Sequence, residues 1–137
     1  MGEVDIENLH RVYRICVEYG KIIGIFHFKV DDGSFETALE FDENNVYHPP
    51  KSKNWSNNPV ILCPDILDFE KKLIIEYEEE SDAGKRMGKI GKKGHWEESK
   101  RDNRRDLLYK KHGFKILKIW ESDDIIKTKD KIFRFLS

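Results

Sequence analysis

The chain of 137 residues suits one domain that buries about two-thirds of its unfolded surface. Charged residues make up 37% and hydrophobic residues 38%, which provides a core and excludes a disordered chain. No apolar run approaches the roughly 20 residues that cross a bilayer, and the N-terminus lacks a signal-peptide layout. We therefore expect a protein that acts inside a cell, in the cytoplasm or, for a viral protein, in the host.

The net charge of −1 hides an uneven distribution along the chain. Residues 64–82 contain eight acidic residues and two lysines, whereas residues 85–111 contain eleven Lys and Arg against four acids. An acidic block therefore adjoins a basic block. Cys16 and Cys63 lie outside any CxxC spacing, which argues against a zinc ribbon and favours two buried thiols.

The N-terminal third predicts a helix followed by a strand. Apolar residues recur at three- and four-residue steps over residues 5–19, and Gly20 is suited to end that helix. Residues 21–30 are rich in Ile and Phe, and a turn at residues 31–33 follows, so this run favours a strand.

A second helix is predicted from Ser34, as its cap, to the Asn44-Asn45 pair. A polar loop over residues 49–59 comes next. The apolar residues that would face inward from this helix are Phe35, Ala38, Leu39 and Phe41.

Two β-like runs, residues 60–63 and 73–77, then predict a hairpin with its turn around residues 68–72. Residues 81–94 are rich in Gly and Lys and predict a loop. After them, residues 96–112 predict a charged helix.

Gly113 ends that helix, and residues 114–120 predict a strand with Trp120 in the core. Ser122 and the aspartates after it suit the start of a last helix. Its predicted buried stripe consists of Ile125, Ile126, Ile132, Phe133 and Leu136. The whole order predicts a single α/β domain in which helices flank a mixed central sheet.

Three carboxylates carry the clearest chemical signal. Asp65 follows the first strand of the predicted hairpin, and Glu76 and Glu78 project from one side of the second strand because side chains alternate. We expect them to face solvent, where Mg²⁺ binds carboxylates together with water and phosphate. The alternative is a solvated acidic hairpin without a metal.

The same residues resemble a known signature. Pro64-Asp65, ten residues, and Glu76-Tyr77-Glu78 are similar to the PD-(D/E)xK motif of restriction-endonuclease-like nucleases. Gly94-His95 and residues 101–108 and 113–121 follow in an order that resembles the very-short-patch-repair endonuclease branch and related small nicking and homing enzymes. The similarity covers about residues 34–136.

The resemblance implies a nuclease core over residues 34–137, preceded by an extra helix and strand in residues 1–33. It also implies that Asp65 and Glu76 bind the metal directly and that Glu78 is the third member of the metal site. Glu36 would be an auxiliary glutamate of that site. Cutting both strands with one site per chain calls for a dimer or two successive nicks. Residues 1–33 are the candidate dimerisation or specificity element, because an extra helix and strand outside the catalytic core need a packing partner.

One position departs from the resembled motif, because Glu78 stands where the nucleases usually carry Lys. A carboxylate can accept a proton or hold a water or second metal, so the identity of the general base is open. His95 is a candidate proton donor to the leaving oxygen or a phosphate contact, and it is otherwise an exposed loop histidine.

The charged helix supplies a candidate DNA-binding surface. Its basic residues favour phosphate contacts beside a metal site. Acidic residues are interleaved with them, so a solvated, salt-bridged helix is the alternative. The basic residues concerned are Lys100, Arg101, Arg104 and Arg105.

The sequence therefore predicts an endonuclease that hydrolyses DNA phosphodiester bonds with Mg²⁺, which Mn²⁺ can replace. We expect DNA as its partner, a homodimer as one route to double-strand cleavage, and neither a membrane nor an organic cofactor. The alternatives are a non-catalytic nucleic-acid-binding or assembly subunit that keeps the nuclease fold, and a protein-interaction domain.

Overall fold

The computed structural model describes residues 3–42, 44–48, 60–78 and 103–137, with side chains from residue 6 onward. It is a mixed α/β domain, as the sequence predicts. The elements in chain order are α1 (Glu3–Ile23), β1 (Phe28–Val30), β2 (Leu39–Phe41), β3 (Val46–Tyr47), β4 (Val60–Leu62), β5 (Ile66–Asp68), β6 (Leu73–Glu78), α2 (described over 103–111), β7 (Lys115–Trp120) and α3 (Ile125–Leu136).

Helix α1 confirms the first predicted helix but ends later than expected. Gly20 lies inside the helix, and Gly24, at φ 91°, ends it. The N–H groups of Gly24 and Ile25 both donate to the Gly20 carbonyl at 2.8 Å. A Cβ at position 20 would lie 2.3 Å from the Ile25 carbonyl oxygen, so glycine is required there for close packing and not as the helix end.

The strand predicted over residues 21–30 is reduced to β1, because the helix takes its first three residues. The turn after β1 is confirmed. The Gly33 N–H donates to Asp31 Oδ1 at 3.2 Å, and Gly33 adopts φ 92°.

The helix predicted from Ser34 is wrong, because this stretch forms a turn and then strand β2. Phe35 has φ 63° and is 67% exposed, so it does not face the core. Every residue of β2 is buried, and tertiary packing on both sides of a short strand overrides the helical spacing of its apolar residues. The Asn44-Asn45 pair makes the turn of the β2–β3 hairpin, where both backbone N–H groups donate to Asp42 Oδ1.

The predicted hairpin is correct in its second strand and wrong in its first. Strand β6 pairs antiparallel with β5, with Ile66 opposite Ile75, whereas β4 pairs with β2 in another sheet. Three residues suffice for β5 because each of them is buried. The turn at residues 69–72 lies where it was expected.

Two sheets result from this pairing. The larger has the strand order β1-β5-β6-β7, in which only β6 and β7 are parallel, and the smaller has the order β3-β2-β4. A connection that includes α2 joins the two parallel strands, as such pairs require.

The larger sheet is covered on both faces. Its α1 face packs against α1 and α3 through a cluster that includes Leu9, Cys16, Ile75 and Ile132. Its α2 face packs against α2 and the smaller sheet. The buried residues of that second cluster are Leu39, Phe41, Leu67, Ile74, Tyr109 and Phe114.

The C-terminal elements follow the sequence closely. Helix α2 ends before Gly113, which has φ 89°, and Asp124 caps α3 by accepting from the Lys127 N–H at 2.7 Å. Two predictions of burial are wrong. Trp120 is 36% exposed. In α3, Ile132 and Leu136 are buried as predicted, together with Thr128, whereas Ile125, Ile126 and Phe133 are exposed, although the Phe133 ring contacts Tyr19 of α1.

The N-terminal segment is built into the same core. Helix α1 covers one sheet face, and β1 pairs with β5 at the edge of the larger sheet. Its role in dimerisation or specificity stays a prediction. Among the described helices, none is long and apolar enough to cross a membrane. The predicted loops at residues 49–59 and 81–94, and the start of the charged helix, lie outside the described residues.

Candidate functional site

The antiparallel hairpin of β5 and β6 brings together two carboxylates that are far apart in sequence. Asp65 immediately precedes β5, and the register of Ile66 with Ile75 places it opposite Glu76. The backbone fixes Asp65 from two sides. Its Oδ2 accepts the Tyr77 N–H at 2.8 Å, and its carbonyl accepts the Asp31 N–H at 2.8 Å.

Both carboxylates lie on the α2 face of the larger sheet, because Glu76 is two residues from Ile74, which packs on that face. Glu76 is only 5% exposed, and Asp65 is half-buried. The expectation that Glu76 faces solvent is therefore wrong. Helix α2 and the smaller sheet cover this part of the strand, and a hairpin considered alone does not reveal that cover.

Burial controls the protonation of the pair. Loss of hydration and the nearby Asp65 carboxylate raise the pKa of Glu76 well above its usual range. Burial also raises the pKa of Asp65, against the opposing effect of the hydrogen bond from Tyr77. The two side chains share a hydrogen bond, which raises the pKa of Glu76 and lowers that of Asp65. Burial and the closeness of the two acids therefore favour protonation of the pair.

The buried polar atoms on this face that have no hydrogen-bond partner among the described residues include Glu76 Oε1 and the Tyr109 hydroxyl of α2. Leaving a buried polar atom unsatisfied costs about 1–3 kcal/mol. Negative charge on Glu76 contributes to a raised pKa of the Tyr109 hydroxyl, which places the two groups in one electrostatic environment. A polar occupant at Glu76 would remove part of this cost.

A cationic side chain of α2 acts on both carboxylates. The positive charge of Arg105 lowers the pKa of both Asp65 and Glu76, although less than burial raises the pKa of each. Asp106, the next residue of α2, accepts an ion pair from Lys118 Nζ at 2.9 Å. Arg105 of α2 thus partly offsets the negative charge of the pair, whereas the Lys118 ammonium of β7 is paired with Asp106.

This arrangement changes the interpretation of the predicted DNA-binding residues. Arg105 is half-buried beside the carboxylates, whereas Arg104 is exposed. Arg104 is therefore available to a phosphate. Lys100, Arg101 and the candidate proton donor His95 lie outside the described residues, and their roles stay predictions.

Glu78 and Tyr77 follow the alternation that the sequence predicts. Glu78 is half-buried, and its charge contributes to the raised pKa of Glu76. Tyr77 packs on the opposite, α1 face. It lines a cavity there with Arg11 and Asp123, among others. Because the sheet separates that cavity from Asp65 and Glu76, it is not part of the carboxylate site.

Glu36, the predicted auxiliary glutamate, is exposed ahead of β2. Its carbonyl accepts a hydrogen bond from His48 Nε2 at 2.6 Å, and within the described part of the chain no hydrogen bond or ion pair joins its carboxylate to the acid pair. The buried glutamate of this segment is Glu40, at 1% exposure. No local spacing indicates this burial, because alternation along β2 places Glu40 on the side opposite Leu39 and Phe41.

The donor set suits a hard divalent cation that keeps most of its water. Over residues 3–42, 44–48, 60–78 and 103–137, no three His, Cys, Asp or Glu side chains are grouped as metal ligands. Mg²⁺ commonly uses one or two carboxylates and completes its shell with water and phosphate. Asp65 and Glu76 fit that requirement, since Glu76 Oε1 is unsatisfied in the described structure.

Comparisons with protein-family models, curated proteins and solved structures gave no match. The chemistry of the site is therefore argued from its own residues and geometry.

The buried acid pair makes stability depend on pH. The unfolded chain loses the Glu76 proton near pH 4.3, whereas the folded chain keeps it to higher pH, so neutral Glu76 stabilises fully below about pH 4.3 and less as the pH rises through its folded pKa. Without divalent metal, the free energy of unfolding should fall as the pH rises from about 4.3 through the folded pKa of Glu76, by at most about 1.4 kcal/mol per pH unit for this proton.

Glu76→Gln should flatten that fall, because the amide does not titrate. The Asp65 contribution has the same sign and remains, so the fall should shrink and not vanish. Urea unfolding at several pH values measures both proteins. Identical pH dependence in the two would show that Glu76 is ionised in the folded chain.

Proposed function

We propose that this protein is a Mg²⁺-dependent endonuclease that hydrolyses DNA phosphodiester bonds. The observation that carries the proposal is the meeting of Asp65 and Glu76 on one sheet face, with an unsatisfied carboxylate oxygen and with Arg105 beside them. Two neighbouring acids whose ionised forms repel each other are suited to a divalent cation, which stabilises the ionised forms.

Each side chain has a defined role in this proposal. Asp65 and Glu76 would hold the ion, which supplies charge stabilisation on the phosphate and lowers the pKa of water. Arg105 limits the repulsion between the acids. Glu78 accepts a proton from the attacking water while the oxygen of that water forms a bond to phosphorus. The bond from phosphorus to the bridging oxygen breaks in the same step.

DNA is proposed as the substrate because the basic block of residues 85–111 adjoins the acids in sequence, and its helix α2 lies on the face that holds them. This substrate implies a site of action inside the cell. Double-strand cleavage would need a second chain or a second nick.

Arg104→Ala should weaken binding of all DNA sequences alike, because phosphate contacts position a duplex without reading it. The slope of log affinity against log salt should fall by about 0.9 for one lost phosphate contact. Lys129→Ala provides a matched control, since Lys129 is an exposed cation of α3 on the other side of the sheet. Equal salt slopes for wild type and Arg104→Ala would show that Arg104 contacts no phosphate and would favour a solvated, salt-bridged α2.

The direct test of the function is cleavage of supercoiled plasmid and of branched or mismatched duplexes, with and without Mg²⁺ or Mn²⁺. Metal-dependent nicking or linearisation is expected. Glu78 in place of Lys favours the second candidate, a non-catalytic subunit, for which duplex binding without cleavage is the expected outcome. Neither binding nor cleavage would contradict both and favour a protein-interaction domain.

A further inference from the structure

A lysine lies beside Glu76 on the neighbouring strand. The parallel register of β6 and β7 pairs Glu76 with Lys118 and Glu78 with Trp120. Paired residues of neighbouring strands project to the same face, about 4.8 Å apart. Lys118 therefore emerges on the α2 face, next to the carboxylate pair.

Position 118 is at least as close to Glu76 as position 78, where the resembled nuclease motif carries its lysine. Position 78 lies two residues along β6 from Glu76, which is about 6.6 Å at the usual rise of a strand. The backbone of Lys118 is thus nearer to Glu76 than the backbone of position 78 is. A flexible lysine at position 118 can supply a cation to the space beside Glu76 and Glu78.

Helix α2 holds the Lys118 ammonium through an ion pair with Asp106. Its Nζ lies 2.9 Å from Asp106 Oδ2, and 35% of the Lys118 side chain is exposed. An ammonium has three N–H donors, and this ion pair uses one. The group is therefore anchored, partly accessible to solvent, and able to donate to an anion as well.

We propose that Lys118 is a catalytic residue of this nuclease, whose ammonium binds the scissile phosphate and the attacking water in place of the lysine absent at position 78. The inference rests on the proposed function.

The ammonium stays protonated throughout. It donates one hydrogen bond to a non-bridging phosphate oxygen and one to the water. The water oxygen forms the new bond to phosphorus while its proton passes to Glu78. The bond from phosphorus to the bridging oxygen breaks, and the leaving oxygen takes a proton from solvent.

A purely structural role makes a different prediction. If Lys118 only tied β7 to α2, its loss and the loss of Asp106 would be equivalent. Lys118→Met removes both the ion pair and the ammonium, whereas Asp106→Asn removes the charge of the partner and keeps the ammonium. Lys115→Met is the matched control, since Lys115 is an exposed lysine at the start of the same strand.

Single-turnover cleavage of a duplex at saturating metal and DNA compares these proteins, with urea unfolding measured on each. Lys118→Met should cleave at least about 100-fold more slowly, as losses of groups that stabilise transition-state charge do. Asp106→Asn should lose less than about tenfold, and Lys115→Met should match wild type. Lys118→Arg should recover part of the rate, because it restores a cation without changing the strand.

The outcomes separate this inference from the proposed function. If wild type cleaves and Lys118→Met cleaves as fast, Lys118 has no catalytic role. Equal losses of rate in Lys118→Met and Asp106→Asn, with equal losses of stability, also overturn the inference and leave a structural tether. If wild type itself does not cleave any duplex, the proposed function fails and this inference fails with it.

Discussion

Glu76→Gln is expected to abolish metal-dependent cleavage of DNA. The amide keeps the shape of the side chain but removes the charge that the cation needs, at the most buried member of the acid pair. Loss of an outer-shell partner already costs about 10–100-fold in metal affinity or activity, and loss of a direct ligand should cost more. Cleavage rates across a Mn²⁺ titration measure the effect.

The fold should survive this change. Gln fills the same volume and removes a buried ionisable group, so the free energy of unfolding at pH 7 should rise without metal. Glu76→Ala is a poorer test than Gln because it leaves a cavity in a covered site. Glu70→Gln is the control, since Glu70 is an exposed glutamate in the turn of the same hairpin. Wild-type cleavage by Glu76→Gln would remove Glu76 from the metal site.

Glu78→Gln should have the second largest effect on cleavage. If Glu78 takes the proton of the attacking water, the neutral amide removes that basicity, and proton transfer of this kind contributes about 10²–10⁴-fold to rates. A wild-type rate in this variant would make Glu78 a bystander and His95 the first candidate for the base.

Glu78→Lys replaces the carboxylate with the lysine that the resembled motif usually carries at this position. An ammonium near Asp65 and Glu76 would partly neutralise the pair, so we expect impaired cleavage that needs more metal. The metal concentration at half-maximal rate measures this. Full activity at wild-type metal concentrations would mean that Glu78 is a substitution without mechanistic consequence.

Long, regular elements were predictable because their burial pattern is local. Helix α1, strand β7 and helix α3 each present a repeat of apolar residues to one neighbour, and the repeat specifies the element. Their ends were less accurate. Gly20 resembles a helix end in sequence, but its function is to let the chain after Gly24 pack closely.

The elements that sequence reasoning missed are set by distant parts of the chain. Strand β2 has three consecutive buried residues, and its Leu39 and Phe41 pack with residues of β5, β6 and α2, none of which is adjacent to it in sequence. The three-residue strand β5 displaces β4 as the partner of β6 for a similar reason. A short run carries too little periodicity to choose between such partners.

The candidate site was predictable in its acids and not in its surroundings. Strand alternation predicts that Glu76 and Glu78 project from the same side of their strand. The hairpin predicts that Asp65 lies close to Glu76. The burial of Glu76 depends on α2 lying across the sheet. The neighbouring Lys118 depends on the register of β6 with β7, which a crossover connection sets and no local spacing reveals.

The position of the metal tests the account most directly. Crystals of the protein with a short DNA duplex, soaked in Mn²⁺, would show the ion by anomalous diffraction. We predict an anomalous peak about 2 Å from carboxylate oxygens of both Asp65 and Glu76, absent from crystals of Glu76→Gln. Mn²⁺ bound only elsewhere, with Asp65 and Glu76 still hydrogen-bonded to each other, would contradict the assignment of this pair as the metal site.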